Sequence, residues 1–183
     1  MNEYLRREIM DIIGIIENKR MKRLEKRNIL VEAIIQREIQ FSEIDDACHS
    51  LPNKSISLIL EAIEEVSRSK VFVLEENYLH LAEKYILAND NSCKREASRI
   101  VGNLASKYPN ILDTAIEALI QNTQDEGTVI RWGSAYALSR IIVIPQYANS
   151  SLFERIQDLC EKENENGVKN QYAKAIKKAE KLR

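Results

Sequence analysis

The sequence contains few of the residues that interrupt helices. Of its 183 residues only 5 are glycine and 3 are proline, and no long stretch alternates apolar and polar residues as a half-buried β-strand does. A turn-rich β fold is therefore excluded. Ile, Leu, Ala, Glu and Lys dominate instead, and all except isoleucine are strong helix formers. The composition predicts an all-α protein.

Cysteine and histidine are also scarce. Cys48, Cys93 and Cys160 lie far apart and form no CxxC pair, and there are only 2 histidines. Neither a disulfide framework nor a metal site has this pattern, so we expect free thiols, no metal and a cytoplasmic location. Glycine-rich phosphate loops are missing, and adjacent residues such as Cys48 and His49 seldom have the geometry of a nucleophile and its base. The sequence predicts neither a cofactor nor an enzyme.

Long apolar runs and a dominant charge are missing as well. No apolar run approaches the roughly 18 residues of a membrane-spanning helix, and charges among residues 1–20 argue against a signal peptide, so we expect no membrane partner. The net charge is −1, and residues 41–90 are acidic while residues 91–183 are mildly basic. A dedicated nucleic-acid-binding protein should be more basic than this. The basic run KRMKRLEKR at residues 19–27 is consistent with phosphate binding or with a solvated junction between helices.

The sequence contains an internal repeat of helical segments. Apolar spacing predicts nine helices joined by short loops. The segment CKREASRIVGNL (93–104) aligns with IRWGSAYALSRI (130–141) after a shift of 37 residues, and with VKNQYAKAIKKA (168–179) after 38 more. The helices before these segments align in the same way: 73–82, 111–120 and 151–160. A two-helix unit therefore recurs three times from about residue 71.

This unit resembles the HEAT repeat family of helical-hairpin solenoids. Its second helix has a basic residue soon after a β-branched one, then small residues and a Leu-Ser step, as in IRWGSAYALSRI. The resemblance implies one α-solenoid domain over residues 1–183, with HEAT-like repeats at 54–183 and an N-terminal cap or degenerate repeat at 1–53. An ordinary helical bundle is the alternative fold.

The resemblance also implies contacts inside the repeat. The family places an acid six residues before the basic residue, where the loop between the two helices is pinned. Asp125 with Arg131 and Glu163 with Lys169 have this spacing, so we expect each pair to interact within its hairpin. The aligned small residues are expected at contacts between helices: Ala97, Ser134 and Ala173.

The aligned second helices also predict a binding face. In this family the second helix borders the concave side, so its positions not used in packing should line one surface. These positions are rich in basic and aromatic residues and contain no acid, whereas Glu64 and Glu65 are expected on a solvated face. The candidate binding residues are Arg95, Arg99, Trp132, Tyr136, Arg140, Lys174 and Lys178. The alternative is that the cations are merely solvated and that Trp132 packs on a neighbouring unit.

This face implies that the protein binds a partner and does not catalyse a reaction. We expect a protein-binding scaffold or adaptor that holds an acidic or mixed protein segment, with Trp132 and Tyr136 as anchors. The alternative is a nucleic-acid-binding protein of the HEAT-like DNA glycosylase type, which should have several cleft aromatics with a carboxylate among them. This sequence has one tryptophan and no acid in the aligned positions. Bilin lyases share only the repeat.

Overall fold

The computed structural model describes residues 11–183, which form eleven α-helices and no strand. The predicted all-α class is confirmed for this range. Leu5 and Ile9, which apolar spacing assigns to the first predicted helix, lie outside the described residues. The helices are α1 (Ile12–Glu17), α2 (Arg23–Ile35), α3 (Phe41–Ser50), α4 (Asn53–Ser67), α5 (Glu76–Glu83), α6 (Asn91–Leu104), α7 (Asp113–Asn122), α8 (Thr128–Ile141), α9 (Pro145–Ala148), α10 (Leu152–Lys162) and α11 (Asn166–Ala179).

Two features account for helices beyond the nine predicted. The apolar spacing predicts one continuous helix through Leu24, Ile34 and Ile39. The structure breaks it between α2 and α3, where Arg37 has a φ of 58°, a left-handed conformation that cannot continue a helix. The short α9 lies in a segment expected to be a loop. It begins at Pro145, which is favourable at the first position of a helix because its N–H would have no partner there.

The helices pair into hairpins that form two layers. The pairs are α1–α2, α3–α4, α5–α6, α7–α8 and α10–α11. The second helices contact one another in chain order, α2 to α4 to α6 to α8 to α11, and the first helices α1, α3, α5 and α7 do the same. We call the row of second helices the second-helix layer. Between the two layers lies a continuous apolar core, because each helix presents one apolar stripe to its neighbours.

Helix α8 has small side chains where two other helices pack against it. It contacts α6 and α11, and its small residues Gly133 and Ser134 are buried. A Cβ at position 133 would lie 3.6 Å from Arg95 Cα, and one on Gly102 of α6 would lie only 2.8 Å from Ala137 Cα. Small residues therefore bring α6 and α8 into backbone contact, as predicted. Of the three aligned small residues, Ser134 and Ala97 are buried and Ala173 is half-buried.

Ion pairs join the hairpin loops of neighbouring units. Lys94 Nζ lies 2.8 Å from Asp125 Oδ2, and Arg131 Nε lies 3.0 Å from Glu163 Oε2. Within its own hairpin, Arg131 donates to the backbone carbonyl of Asp125 at 3.0 Å, and Lys169 Nζ lies 3.4 Å from that of Glu163. The predicted residues do meet, but through backbone carbonyls, because each carboxylate turns to the preceding unit.

The basic run at residues 19–27 takes part in packing. Arg23 Nε lies 3.0 Å from Glu61 Oε2, and Arg27 Nη1 lies 3.6 Å from Glu61 Oε1. Lys26 Nζ donates to the backbone carbonyl of Ile16 in α1. These contacts hold α2 against α4 and α1, which favours the structural interpretation of the run over phosphate binding.

Candidate binding surface on the second helices

All seven predicted binding residues lie on the last three second helices. Helix α6 carries Arg95 and Arg99, α8 carries Trp132, Tyr136 and Arg140, and α11 carries Lys174 and Lys178. Arg140 and the two lysines are exposed, and the other four side chains are half-buried. Their electrostatic surroundings divide them into two groups.

The arginines of α6 are paired with buried carboxylates. Arg99 Nη2 lies 2.8 Å from Glu64 Oε1 of α4, and Arg99 Nη1 lies 3.2 Å from Glu96 Oε2. Arg95 Nε donates to Glu96 Oε1 at 2.7 Å. Glu64 is only 3% exposed and Glu96 only 2%. We call these four residues the ion-paired region, since its cations are largely neutralised by its own carboxylates.

The expectation that Glu64 lies on a solvated face is wrong. Burial raises the pKa of Glu64, while the nearby positive charges of Arg99 and Arg68 oppose this effect. Arg99 of α6 and Arg68, the residue that follows α4, therefore accompany this carboxylate and offset part of the cost of its burial. The aligned positions contain no acid because Glu96 falls between Arg95 and Arg99, and because Glu64 lies on α4, which precedes the aligned helices. The spacing of Glu96 and Arg99, three residues apart on one helix, was the one available signal.

A hydrogen-bond chain connects the ion-paired region to α8. Tyr136 Oη donates to Asn103 Oδ1 at 2.6 Å, and Asn103 Nδ2 donates to Ser67 Oγ at 2.8 Å and to Glu64 Oε1 at 3.3 Å. Three consecutive second helices, α4, α6 and α8, are linked in this way. The Tyr136 ring is consequently fixed in orientation by a bond at its hydroxyl.

Aromatic and cationic groups stack on this fixed ring. The rings of Trp132 and Tyr136 lie 5.5 Å apart between centroids at an angle of 28°. The Arg140 guanidinium lies over the Tyr136 ring at 4.3 Å, and that of Arg99 at 5.9 Å. Stacking of this kind orients a guanidinium without using its hydrogen-bond donors.

A cleft of about 300 Å³ lies between α8 and α11. Arg140, Lys174 and Lys178 line it together with Tyr136 and Ser139. Within residues 11–183 these three cations have no carboxylate partner. We call Trp132, Tyr136, Arg140, Lys174 and Lys178 the open patch. It offers positive charge without a carboxylate partner in the described chain, beside two half-buried rings, of which Trp132 also packs against the core.

The adjacent Cys48 and His49 lie on α3, outside the second-helix layer. Burial raises the pKa of the Cys48 thiol to about 12, so it is neutral at physiological pH and a poor nucleophile. The adjacent His49 has its Nδ1 2.7 Å from the backbone carbonyl of Asp45. Residues 11–183 contain no cluster of three His, Cys, Asp or Glu residues suited to a metal ion.

Comparison with known proteins identifies the fold alone. No family model matches the chain, and no curated protein is significantly similar to it. A crystal structure of an engineered protein, target OR329 of the Northeast Structural Genomics Consortium, is similar with a TM-score of 0.57 and 12% identity. The match covers 93% of this chain and 96% of that one. Across residues 11–183, no helix has the length and apolar character needed to cross a membrane.

Proposed function

We propose that the chain is a short HEAT-like α-solenoid that acts in the cytoplasm as a non-enzymatic protein-binding scaffold or adaptor, and that the open patch is its contact surface. The stacked hairpins and the 37–38 residue repeat support the solenoid assignment. Three free cysteines support a reducing compartment. One observation carries the function: two stacked aromatic rings lie beside three cations that have no carboxylate partner in the described chain.

The open patch has the composition and the rigidity of a binding hot spot. Tryptophan, tyrosine and arginine are the residues enriched at such sites. Tyr136 is held by its bond to Asn103, and Trp132 and Arg140 stack against it. A surface that is ordered before binding loses less conformational entropy when a partner arrives.

Pairing within the fold narrows the predicted face from seven residues to five. Arg95 and Arg99 have Glu64 and Glu96 as partners, so they contribute rigidity more than free charge. The remaining cations favour an acidic or mixed protein segment as the partner. The nucleic-acid alternative of the glycosylase type receives less support, since no carboxylate lines the cleft beside the aromatic rings.

Peptide display provides a direct test. Random dodecamers displayed on their own mRNA are selected on the wild-type protein, and the affinities of enriched sequences are then measured by polarisation of labelled peptide. We expect acidic sequences with an aromatic or aliphatic residue. Trp132→Ala and Arg140→Glu should each weaken them at least about tenfold, as loss of a hot-spot residue does. Lys70→Glu, a matched charge reversal in the exposed loop after α4, should change nothing.

Two results would contradict the proposal. One is enrichment of no peptide, or only of peptides that bind the Trp132→Ala and Arg140→Glu variants as well as the wild type. The other is retention of duplex DNA at physiological salt that is lost in Arg140→Glu, which would favour the nucleic-acid alternative.

A further inference from the structure

We propose that the cleft between α8 and α11 binds a phosphorylated side chain of a partner protein segment, through Arg140, Lys174, Lys178 and Ser139. The inference rests on the proposed protein-binding function and adds the chemistry of the partner. In this arrangement the phosphate lies among the three cations, and an adjacent residue of the segment lies against the rings of Trp132 and Tyr136.

The concentration of charge in the cleft is the first argument. Three cations line one space of about 300 Å³ without a carboxylate partner among residues 11–183. Lys174 and Lys178 are four residues apart on α11, a spacing at which like charges repel. A single carboxylate supplies only one negative charge. A phosphate monoester supplies about 1.5 to 2 charges and three strong acceptor oxygens, which match three cationic donors.

The donors of the cleft are the second argument. Ser139 Oγ is buried and has no hydrogen-bond partner in the described chain, although a serine inside a helix commonly bonds the carbonyl four residues earlier. Its hydroxyl is therefore available to a phosphate oxygen. Stacking on Tyr136 at 4.3 Å fixes the Arg140 guanidinium and leaves its planar fork free for the paired hydrogen bonds that bind phosphate well.

The position of the cleft argues for one phosphate group and against a polyanion. Duplex DNA carries about one charge per 1.7 Å of its axis, so it requires free cations along the whole face. Here the arginines of α6 are occupied by Glu64 and Glu96. Free positive charge on the last three second helices is thus confined to the α8–α11 end, and the neighbouring surface is aromatic. A peptide with one phosphorylated residue next to an apolar one has the complementary pattern.

The test uses one heptapeptide, Gly-Ala-Leu-X-Leu-Ala-Gly with blocked ends, in which X is serine, phosphoserine, phosphotyrosine or aspartate. Trp132 is the only tryptophan in the chain, so its fluorescence reports binding at the patch. We expect saturable binding of a phosphorylated form, at least about tenfold tighter than the aspartate form, because charge and acceptor number both increase. Inorganic phosphate and a 12-nucleotide DNA, single-stranded and duplex, are titrated in parallel and should bind more weakly than that phosphopeptide.

Variants locate the site on the full chain. Arg140→Gln and Lys174→Gln should each weaken the phosphopeptide about tenfold, and Ser139→Ala about threefold, in line with loss of a charged and a neutral donor. Lys177→Gln is the matched control, because Lys177 is an exposed lysine of α11 that does not line the cleft. It should leave the affinity unchanged. Unaltered far-UV circular dichroism establishes that each variant is folded, and ³¹P NMR of the bound phosphopeptide provides a second readout.

The possible failures are distinguishable. Equal affinity for the aspartate and phosphorylated forms, or no saturable binding of any form, overturns the phosphate proposal, while the display experiment still decides the protein-binding function. Equal affinity for inorganic phosphate and phosphopeptide also overturns it, since the site would then recognise the free ion. Tighter binding of the oligonucleotides, lost in Arg140→Gln, overturns both proposals.

Discussion

The α4–α6 contact and the α8–α11 contact join second helices in different ways. Between α4 and α6, Arg99 reaches the buried Glu64, and Asn103 bonds both Glu64 and Ser67. Between α8 and α11 the face has no ion pair among residues 11–183, and the charged contact lies at the loop end, where Arg131 meets Glu163. One contact uses its charges for cohesion, and the other leaves them available on the surface.

This difference separates cations that are paired within the fold from cations that are not, among residues that look alike in the sequence. A half-buried arginine paired with a buried carboxylate cannot be released without leaving an uncompensated charge in the interior. An exposed lysine contributes little to stability, so its charge is free for a ligand. Equivalent positions of the repeat therefore differ in whether their charge is paired within the fold, depending on whether the preceding second helix supplies an acid.

Removal of the cation between the two buried acids should break the comparison most strongly. Arg99 pairs with both Glu64 and Glu96, so Arg99→Gln leaves two buried carboxylates with one less cation. We expect it to lower the free energy of unfolding by about 3 kcal/mol, at the low end for a broken buried pair because Arg68 still meets Glu64 and Arg95 still meets Glu96. Glu65→Gln is the control, since the more exposed Glu65 pairs only with Arg68 and its loss should cost less than about 0.5 kcal/mol. Urea unfolding followed by circular dichroism measures both. Equal losses would mean that the ion-paired region has no special place in the fold.

The backbone contact between α6 and α8 should give the next largest effect. Gly102→Ala places a methyl group 2.8 Å from Ala137 Cα, and we expect it to destabilise the protein by about 2 kcal/mol through overpacking. Gly133→Ala meets only ordinary contacts of 3.6 Å, so its better helix propensity should make it neutral or slightly stabilising. Thermal unfolding of the two variants distinguishes them, and a shared loss would show that both glycines require the close approach.

The ion pair of Arg131 on α8 with Glu163 in the α10–α11 loop should make the stability depend on pH in the acid range. Burial alone would raise the pKa of Glu163, but hydrogen bonds from Arg131 and from backbone N–H groups lower it overall. A depressed carboxylate pKa stabilises the fold above the unfolded value of 4.5, and this contribution is lost as the pH falls through the folded value. We therefore expect Glu163→Gln to cost about 1.5 kcal/mol at pH 7 and less at pH 3.

Urea unfolding at several pH values between 3 and 7 tests this dependence. Glu180→Gln, at an exposed position without an ion pair in the described chain, should lower stability little at any pH. A Glu163→Gln penalty that stays constant down to pH 3 would contradict the assigned role of this carboxylate.

The smallest change in stability should come from the Tyr136 hydroxyl, which connects the open patch to Asn103 beside the ion-paired region. Tyr136→Phe removes the bond to Asn103 but keeps the ring on which Trp132 and Arg140 stack, and we expect a loss of about 1 kcal/mol. The orientation of the ring should also loosen, so the fluorescence anisotropy of Trp132 should fall. An unchanged anisotropy would indicate that stacking alone holds the rings in place.

Local sequence patterns were sufficient for several features of this protein. Apolar spacing and the scarcity of glycine and proline predicted helices, because a helix forms from contacts within a few residues of each other. The aligned small residue Ser134 predicted a helix contact at α8, because a small side chain lets a neighbouring helix approach closely. The pattern missed the break at Arg37 and the short α9, since one left-handed residue or one proline-led turn leaves little trace in periodicity.

The sequence by itself determined the helices, the repeat and the residue types that recur at equivalent positions. Only the tertiary structure decided that Glu64 and Glu96 are buried against the arginines of α6, and that Arg140, Lys174 and Lys178 meet at one cleft without a carboxylate. Neighbouring second helices are close in space but far apart in the chain: Tyr136 and Asn103, which are bonded, are separated by 33 residues, and Asn103 and Glu64 by 39. The sequence specifies the charge of each side chain, but its ion-pair partner depends on which residues of the neighbouring helix pack against it.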